Sequence, residues 1–530
     1  MKNLLIDPWL PIVRKDGSRE IIALCDIVEG YKKNPVIDIE APRPDFRNAI
    51  FQLLIGVLQV MATPEDEDEW EDLWYEPYSE HDLNLKFSKY EDCFVIDNIQ
   101  GPAFMQDYEW NELYSSEKFR PVEKLLIDAP GNNTTKYNTD HFVKRDEVKC
   151  MDPYWASVAL YTLQTFATSG GRGHYVGLRG GGPMTTIVLP KGKDATLWKK
   201  LWLNTFHLGY VEGWANYSKQ GKISDIFPWM AQTRICIKDE ITTPDDCHPY
   251  QMYFGMPRRV RLEFSSVTGE CDLTGKTTGT GVCQYYTLHN GVKYRGPWTH
   301  PLNSYSVDPK KPELGPNPMK GQPGGVSYRH WFGVNRETER HKPAKVVSQL
   351  GSYSKHRVLN NGRAVLWLGG YDIDDKYKAR CWYESTLPFF EIPPESDIRV
   401  NEIVEAMILA ASESVKSIRS CIKQSWFDRP KDAKGDISFL DTSFWQNTEG
   451  SFYANLQQII DKPFDDIVVP NCIVSWEKEL RREAFQLFDT WALSMQEDGL
   501  DMKRVVSARD FLGKNINKAL KGLQNLKNPE

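Results

Sequence analysis

The segment that follows Pro393 and Pro394 carries the strongest structural pattern in this sequence. Apolar residues recur there at intervals of three and four, which places them on one face of an α-helix. Four such series follow one another: Ile403, Met407, Ala411, Val415, Ile418 and Ile422; Phe452, Leu456 and Ile459; Leu480, Ala484, Leu487, Phe488 and Trp491; Leu512, Ile516, Ala519 and Leu523. Each apolar face has to be buried against another apolar surface. Four helices joined by loops of modest length can bury their apolar faces against one another in a bundle. We therefore predict a four-helix bundle over residues 395–530.

The residues before these prolines predict a domain of mixed structure. Apolar runs on both sides of Asp16 and Gly17 indicate a β-hairpin with a tight turn. Apolar residues with helical spacing between Phe46 and Leu58 indicate a helix with Asp45 as its N-cap. A further helix and three β-like runs, joined by glycine- and proline-rich connections, are predicted over residues 154–168, 185–189, 260–264 and 364–368. The expected fold class is α+β, with a large mixed α/β domain with long loops over residues 1–394.

The composition is that of a folded protein without a membrane span. Of the 530 residues, 41% are hydrophobic and 26% are charged, which argues against a disordered or collagen-like chain. The longest apolar run, residues 49–61, is interrupted by Gln52 and Gln59 and is shorter than the roughly 20 residues that cross a bilayer. The ten cysteines form no Cys-x-x-Cys pair, and the N-terminus lacks the apolar region of a signal peptide. We expect a cytoplasmic protein with reduced thiols and no membrane contact.

The net charge of −7 hides an uneven distribution of charged residues. Residues 63–84 hold ten carboxylates and no lysine or arginine, so the rest of the chain is net positive. Residues 254–357 hold sixteen Lys and Arg against seven Asp and Glu, with aromatic residues between them. Such a segment is typical of a surface that faces nucleic-acid phosphates, although a solvated face with a few packed aromatics has the same composition.

A dense glycine cluster follows the second predicted helix. Gly170, Gly171 and Gly173 surround Arg172, and further glycines extend to position 182. Glycines allow a backbone to approach a phosphate or a groove closely, and Arg172 and Arg179 add positive charge. The spacing is neither that of a Walker loop nor that of a dinucleotide-binding fingerprint, so we expect no nucleotide cofactor. The cluster therefore predicts a contact with a nucleic-acid backbone, with a flexible turn as the alternative.

No pattern in the sequence predicts catalysis or a metal site. The closest candidates for metal ligands are Cys247 with His248 and Cys271 with Cys283, but structural zinc needs about four ligands, usually in close pairs. A Gly-x-Ser-x-Gly motif is absent, and no cysteine or serine stands in a recognisable nucleophile context. We expect no metal, no cofactor and no enzymatic activity. A metal-dependent nucleic-acid-processing enzyme and a purely structural scaffold are the alternatives.

Several motifs, taken together, resemble one protein family. They are Asn3-Leu4-Leu5-Ile6-Asp7, Trp9-Leu10-Pro11-Ile12, Phe104-Met105-Gln106, Pro121-Val122-Glu123-Lys124-Leu125-Leu126, Gly177-Leu178-Arg179-Gly180-Gly181, Pro183 with Thr185-Thr186, and Gly369-Gly370-Tyr371. In this order, and closed by a helical bundle, they resemble the CasA family, the large subunit of the type I-E CRISPR surveillance complex, Cascade. The resemblance runs essentially from end to end.

The resemblance implies a non-catalytic recognition subunit. In the family, the N-terminal domain sits near the 5′ end of the guide RNA and inspects the short PAM duplex from its minor groove, and the bundle touches the opened DNA. The implied partners are the guide crRNA, double-stranded target DNA, the other Cascade subunits and the helicase–nuclease that is recruited to the R-loop. Reading of the PAM with local duplex opening starts such an R-loop, and base pairing reads the rest of the target.

The resemblance also assigns site residues in this sequence. The family's glycine loop falls on Gly170, Gly171, Arg172 and Gly173, where Arg172 interrupts the glycine run. The strand-separating wedge, an amide in some relatives, falls near Asp374, Asp375 and Lys376, and the basic finger is best matched by Lys276. The loop beside the guide RNA and the PAM falls on Asn132, Asn133, Thr134, Thr135 and Lys136.

The last predicted helix offers a basic face. Lys514, Lys518 and Lys521 step by four and three, so they share one side of the helix. We expect these lysines to meet DNA phosphates. A solvated face that complements the helix dipole is the alternative.

Overall fold

The computed structural model describes residues 1–108, 119–131, 147–168, 170–171, 173–192, 195–218, 221–266, 269–311, 315–321, 325–359, 364–373, 379–432, 435, 437–494 and 501–527. The chain divides into two compact units. The first consists of Met1–Gly321 and Gly333–Phe389, and the second of Gln322–Phe332 and Phe390–Glu530. Small sheets lie beside short and long helices, which confirms the α+β fold class.

The strands of the first unit are short and belong to small antiparallel sheets. They are β1 Leu10–Arg14, β2 Arg19–Ile22, β3 Val36–Ile39, β4 Arg120–Pro121, β5 Thr185–Pro190, β6 Arg259–Ser265, β7 Gly269–Glu270, β8 Thr277–Thr278, β9 Gly281–Leu288, β10 Tyr305–Ser306, β11 Asn317–Pro318, β12 His341–Lys342, β13 Ala364–Ile373 and β14 Ala379–Pro388. The sheet orders are β2-β1-β3, β4-β9-β6, β11-β10-β12 and β14-β13-β5, and β7 pairs with β8.

The helices of residues 1–394 are mostly short. They are α1 Pro44–Met61, α2 Glu67–Tyr75, α3 Glu80–Ser88, α4 Pro153–Phe166, α5 Leu197–Trp202, α6 Leu208–Val211, α7 Ile223–Ile226, α8 Trp331–Val334, α9 Lys345–Ser348 and α10 Tyr353–Val358. Helix α1 is buried along most of its length and packs against α4 and α5. Trp198 and Trp202 of α5 stack at 4.8 Å between ring centroids, and Trp70 of α2 stacks on Trp202.

The predicted elements of this region are confirmed. Strands β1 and β2 form the N-terminal hairpin, and Gly17 in its turn has a φ of +86°, which glycine adopts without steric penalty. The predicted helices correspond to α1 and α4, and the three β-like runs correspond to β5, β6 and β13.

The predicted N-cap of α1 is wrong by two residues. The helix begins at Pro44, Arg43 occupies the N-cap position, and Asp45 lies inside the first turn. Pro44 suits the first helical position because its missing N–H has no partner to lose there. The Asp45 side chain is 1% exposed and accepts hydrogen bonds from Arg43 Nε (3.0 Å) and from the Tyr371 hydroxyl (2.5 Å). Its role is therefore to pair with these two side chains rather than to cap the helix.

Part of the positive charge of residues 254–357 lies inside the first unit. Arg259 donates to Asp107 Oδ2 at 2.6 Å, and both side chains are buried. Arg261 donates to backbone carbonyls that include those of Asn98 (2.6 Å) and Asp107 (2.9 Å). These arginines hold the chain together internally, so the basic segment is not a continuous surface.

The second unit contains the four predicted long helices. They are α11 Asp397–Trp426, α12 Ser438–Asp461, α13 Val468–Ala492 and α14 Met502–Ala519, and a 3-10 turn, Leu520–Leu526, extends the last one. Helix α11 packs against each of the other three. The predicted apolar stripes are buried, except that Ala519 and Trp491 are partly exposed and Leu520 is buried beside Leu523. The tighter turn after Ala519 shifts the stripe by one residue.

The second unit also includes a segment that the sequence places outside the bundle. Tyr328 is fully buried, stacks on Phe452 at 4.2 Å between centroids, and shares a 2.7 Å hydrogen bond with the Thr448 hydroxyl. Together with Trp331 it belongs to the apolar core of the four helices. The predicted boundary after residue 394 therefore leaves out residues 325–332 and residues 390–394.

Candidate nucleic-acid interface

The glycine cluster between α4 and β5 begins with an exposed turn. The His174 N–H donates to the Gly171 carbonyl (3.1 Å), and the Gly170 N–H donates to the His174 carbonyl (3.3 Å). Gly171 and Gly173 have φ values of +94° and +77°, in the region that favours glycine. Gly170 and Gly171 are exposed, and a Cβ at Gly171 would meet nothing within 4 Å. We define the glycine loop as Gly170, Gly171, Gly173 and His174; its backbone is open to a partner at Gly170 and Gly171, whereas Gly173 is buried.

Arg258, the residue before β6, holds both ends of the glycine loop. Its guanidinium donates from Nε to the Tyr175 carbonyl (3.2 Å) and from Nη2 to the Thr168 carbonyl. A Cβ at Gly170 would lie 2.7 Å from Nη1 of the same guanidinium, so only glycine fits there without a shift of Arg258. The conformation of the glycine loop and the position of the Arg258 side chain therefore depend on each other.

A pocket of about 350 Å³ lies beside Arg258 and the glycine loop. Its polar lining includes Arg120, Lys124, His174, Arg258 and His289, and its other lining residues carry no carboxylate. The Lys124 ammonium is already paired, because it contacts Glu123 (3.0 Å) and donates to the Pro130 carbonyl (2.7 Å). We call this cavity the basic pocket.

The electrostatics of the basic pocket follow from burial and from neighbouring cations. Burial lowers the pKa of Arg258 to about 10, which leaves it charged at neutral pH. The pKa of His174 is lowered to about 4 by burial and by Arg258, His289 and Arg120. His174 is therefore neutral near pH 7, chiefly because burial disfavours its charged form.

Arg179, which the sequence places with the glycine cluster, has a different role. Its side chain is buried and donates to Gln52 Oε1 (2.6 Å) and to Thr185 Oγ1 (3.1 Å). It therefore links α1 to β5 and is not available to a nucleic acid, contrary to the expectation that it adds charge to the loop.

Cys247 and His248, the first pair of candidate metal ligands, have partners within the protein. Cys247 Sγ donates to Gln251 Oε1 (3.1 Å) and accepts from Arg234 Nη1 (3.2 Å). His248 Nδ1 accepts from the Tyr250 N–H (3.2 Å), and its Nε2 lies 3.1 Å from the Ser218 carbonyl oxygen. Within the described ranges, no group of three or more His, Cys, Asp or Glu side chains is placed to hold a metal ion.

A comparison with models of protein families shows to which family this chain is related. The family model for CRISPR-associated protein Cse1 matches residues 3–487. The chain belongs to the Cse1 family. A solved Thermus thermophilus member of this family carries both names, CasA and Cse1, so the match confirms the resemblance to the CasA family.

Solved structures of the Cse1 family share the fold of this chain. Thermobifida fusca Cse1 is 15% identical, with a TM-score of 0.66 and 98% of each chain covered. Thermus thermophilus CasA (Cse1) is also 15% identical, with a TM-score of 0.64, and the match covers 98% of this chain and 100% of that one. A chain of a structure described as a CRISPR RNA-guided surveillance complex is 14% identical, with a TM-score of 0.63 and coverage of 98% and 99%.

Lys276, which the resemblance assigns to a basic finger, lies at an exposed turn between β7 and β8. Its carbonyl accepts from the Cys271 N–H (2.9 Å). The hairpin is anchored by Asp272, whose carboxylate accepts from the backbone N–H groups of Lys149 (2.6 Å) and Cys150 (2.8 Å). The Lys276 side chain does not line the basic pocket.

Three parts of the predicted Cse1 interface lie outside the described residues. They are Arg172; the loop Asn132, Asn133, Thr134, Thr135 and Lys136; and the wedge Asp374, Asp375 and Lys376. Strands β13 and β14 pair in antiparallel register as far as Ile373 opposite Ala379, so the predicted hairpin is present up to that pair.

The three lysines of the last helix are exposed. Lys514 Nζ contacts Asp510 Oδ2 at 2.8 Å, and both side chains are about 70% exposed. Lys518 and Lys521 have no ion-pair partner among the described residues. Because Lys521 lies in the terminal 3-10 turn, it continues the face of Lys514 and Lys518 with tighter spacing.

The arginine of the basic pocket is a site residue that the sequence does not reveal. Arg258 lies in the basic segment that begins at residue 254, but no motif links it to Thr168, which is 90 residues away in the chain.

Among the residues with described structure, no helix is long and apolar enough to cross a membrane.

Proposed function

We propose that this Cse1-family chain is the large, non-catalytic subunit of an RNA-guided CRISPR surveillance complex of the Cascade type. In this role it recognises the PAM in double-stranded DNA, promotes duplex opening and R-loop formation, and helps to recruit the helicase–nuclease. Its partners are the guide crRNA, the target DNA and the other Cascade subunits.

The family match over residues 3–487 carries this proposal. One relative with the same fold over nearly its whole length belongs to a CRISPR RNA-guided surveillance complex, and another to such a complex before nicking, with a TM-score of 0.55. A common fold across 92–98% of this chain supports an equivalent place in an assembly.

The glycine loop supports the assignment of PAM recognition. At Gly171 the backbone is exposed and has no side chain in front of it. The minor groove presents a degenerate pattern, so a reader of that groove works with small backbone elements and with shape. We assign Gly170, Gly171, Arg172 and Gly173 to the PAM contact, and Lys276 to a phosphate contact beside it.

The remaining assignments extend the same proposal. Asp374, Asp375 and Lys376 act as the wedge at the tip of the β13–β14 hairpin. The polar loop of Asn132, Asn133, Thr134, Thr135 and Lys136 lies against the guide RNA and the PAM. Lys514, Lys518 and Lys521 contact the phosphates of the opened DNA.

Binding of PAM duplexes by the reconstituted complex tests the proposal. We expect Gly171→Asp to weaken binding of a PAM-containing duplex by roughly tenfold or more, because a carboxylate would oppose the phosphates. Arg172→Asp is also expected to weaken binding of the PAM-containing duplex. The matched control is Gly17→Asp in the β1–β2 turn, where φ is +86° and the surroundings are equally open. This control introduces the same charge and a similar backbone strain at a residue that is not among those assigned to the PAM contact.

The measurement is an electrophoretic shift of the complex on duplexes with and without a PAM. Copurification of the chain with a guide RNA and several smaller subunits is expected. A chain that forms no such complex would contradict the proposed function, and equal binding by wild type and Gly171→Asp would remove the glycine loop from the site.

A further inference from the structure

The basic pocket contains a cation that the protein itself does not neutralise. The Arg258 guanidinium is held by two backbone carbonyls, those of Thr168 and Tyr175, and no described carboxylate pairs with it. Its third nitrogen, Nη1, is the one that faces Gly170. A partly buried guanidinium without an anion is unfavourable, since neither water nor a carboxylate fully compensates the charge.

Buried arginines of the same unit are held in two ways. Arg179 donates to the neutral side chains of Gln52 and Thr185, whereas Arg259, which follows Arg258, is paired with Asp107 at 2.6 Å. Arg43 is paired with both Asp45 (3.0 Å) and Asp128 (2.9 Å). Arg258 instead lines a cavity, and the second arginine at that cavity, Arg120, is exposed and has no ion-pair partner among the described residues.

The shape and chemistry of the cavity select the ligand. A volume of about 350 Å³ admits a group much larger than a water molecule, and the two arginines approach it from β4 and from the residue before β6. Guanidinium groups bind phosphate oxygens in a planar, fork-like geometry. The exposed glycine loop forms one edge of the cavity through Gly170 and His174, so a chain that contacts the loop passes the pocket.

We propose that the basic pocket binds a backbone phosphate of the DNA duplex that contacts the glycine loop, with Arg258 and Arg120 as its ligands. This inference rests on the proposed function, because it takes the glycine loop as a DNA contact. It adds a site for a phosphate group to that contact. It also explains why residue 170 is glycine, since a side chain there would displace the guanidinium from the pocket edge.

The first experiment measures DNA affinity across a salt series with the reconstituted, guide-loaded complex. Arg120→Ala removes an exposed side chain, and Arg258→Gln removes the central charge. Each is expected to lower the affinity for a PAM duplex roughly tenfold, the effect of one charge-assisted hydrogen bond. Each also reduces the slope of log affinity against log salt by about 0.7 to 0.9. The control Lys15→Ala, which removes one exposed charge from the β1–β2 turn, leaves both quantities unchanged.

The second experiment removes the phosphate instead of the arginine. Duplexes that carry one neutral methylphosphonate at successive positions beside the PAM are bound by wild type and by Arg120→Ala. We expect one position at which the neutral linkage weakens wild-type binding but does not weaken the variant further, since both changes break the same contact. Fully additive losses at every position would overturn the proposal.

The outcomes separate this inference from the proposed function. If the wild-type complex shows no PAM preference, the proposed function fails. If wild type prefers the PAM but Arg120→Ala binds with wild-type affinity and salt slope, only the phosphate site fails, even where Arg258→Gln disturbs the loop. If the variants lose guide RNA during assembly while their DNA binding per assembled complex is normal, the pocket binds RNA and the DNA proposal is overturned.

Discussion

Lys355 on α10 shows how strongly a single residue can be constrained by its surroundings. Its ammonium group donates to the carbonyls of Leu203 (3.1 Å) and Thr205 (2.9 Å) and lies 5.3 Å from the ring centroid of Trp70. Burial lowers the pKa of Lys355 to about 7, although Glu67 acts in the opposite direction. The unfolded chain, with a lysine pKa of about 10.4, therefore holds this proton to higher pH than the folded protein does.

We predict that Lys355→Met removes one component of the pH dependence of stability. Between about pH 7 and pH 10 the unfolded state binds more protons at this residue, so its contribution to the wild-type stability rises with pH. Between pH 7 and pH 9 the wild type should gain about 1–3 kcal/mol relative to Lys355→Met. Thermal denaturation of both proteins at the two pH values measures the change. Lys15→Met, in an exposed turn, is the control, and a Tm difference that stays constant with pH would contradict the prediction.

At the residue scale, the sequence revealed local features and missed contacts between distant positions. The glycine cluster was visible because several glycines within five residues favour a turn with positive φ, and Gly171 and Gly173 adopt one. The burial of Arg179 against Gln52, 127 residues away, was not visible. A short charged motif does not record whether its side chain faces solvent or a distant helix.

The last helix carries the prediction at the scale of an element. We expect the triple variant Lys514→Ala/Lys518→Ala/Lys521→Ala to bind target DNA more weakly and with a shallower salt dependence. Each lost phosphate contact lowers the slope of log affinity against log salt by about 0.7 to 0.9. Lys514 is expected to contribute least to DNA affinity, since its ion pair with Asp510 must break before it contacts a phosphate. PAM preference should not change, and salt-series binding of the assembled complex is the measurement.

A matched control separates DNA contact from general loss of charge. Lys416, Lys462 and Lys478 are exposed lysines of the same unit, at α11, just after α12 and on α13. Their triple alanine variant changes the net charge by the same amount and should keep wild-type affinity. Equal binding by wild type and the α14 variant, with normal assembly, would mean that this face of the helix is only solvated.

The long elements of this chain were predictable and the shortest ones were not. Helix α11 spans 30 residues, so its apolar stripe repeats often enough to identify it. Strands such as β10 and β12 contain two residues each, which is too few for any alternation to show. Such short pairings depend on long connections that fold back on themselves, and their partners are set by packing rather than by local pattern.

At the scale of the whole molecule, the division into a mixed domain and a bundle was visible as a change of periodicity after Pro394. The allocation of residues 325–332 to the bundle was not. It depends on Tyr328, whose hydroxyl meets Thr448 across 120 positions of the chain, and on Trp331 beside it. A sequence pattern indicates which face of a segment is apolar, but it does not indicate in which hydrophobic core that face is buried.

The proposed role of the whole chain as a recognition subunit leads to the last prediction, which is that the purified protein does not cut nucleic acid. The sequence offers no nucleophile with an adjacent base and no paired metal ligands, so we expect cleavage of the target to come from a recruited partner. Single- and double-stranded DNA and RNA incubated with the chain and Mg²⁺ or Mn²⁺ should remain intact on a denaturing gel. Cleavage that follows this polypeptide through chromatography, and that disappears when one of its carboxylates is replaced by the corresponding amide, would instead assign it the chemistry of a metal-dependent nuclease.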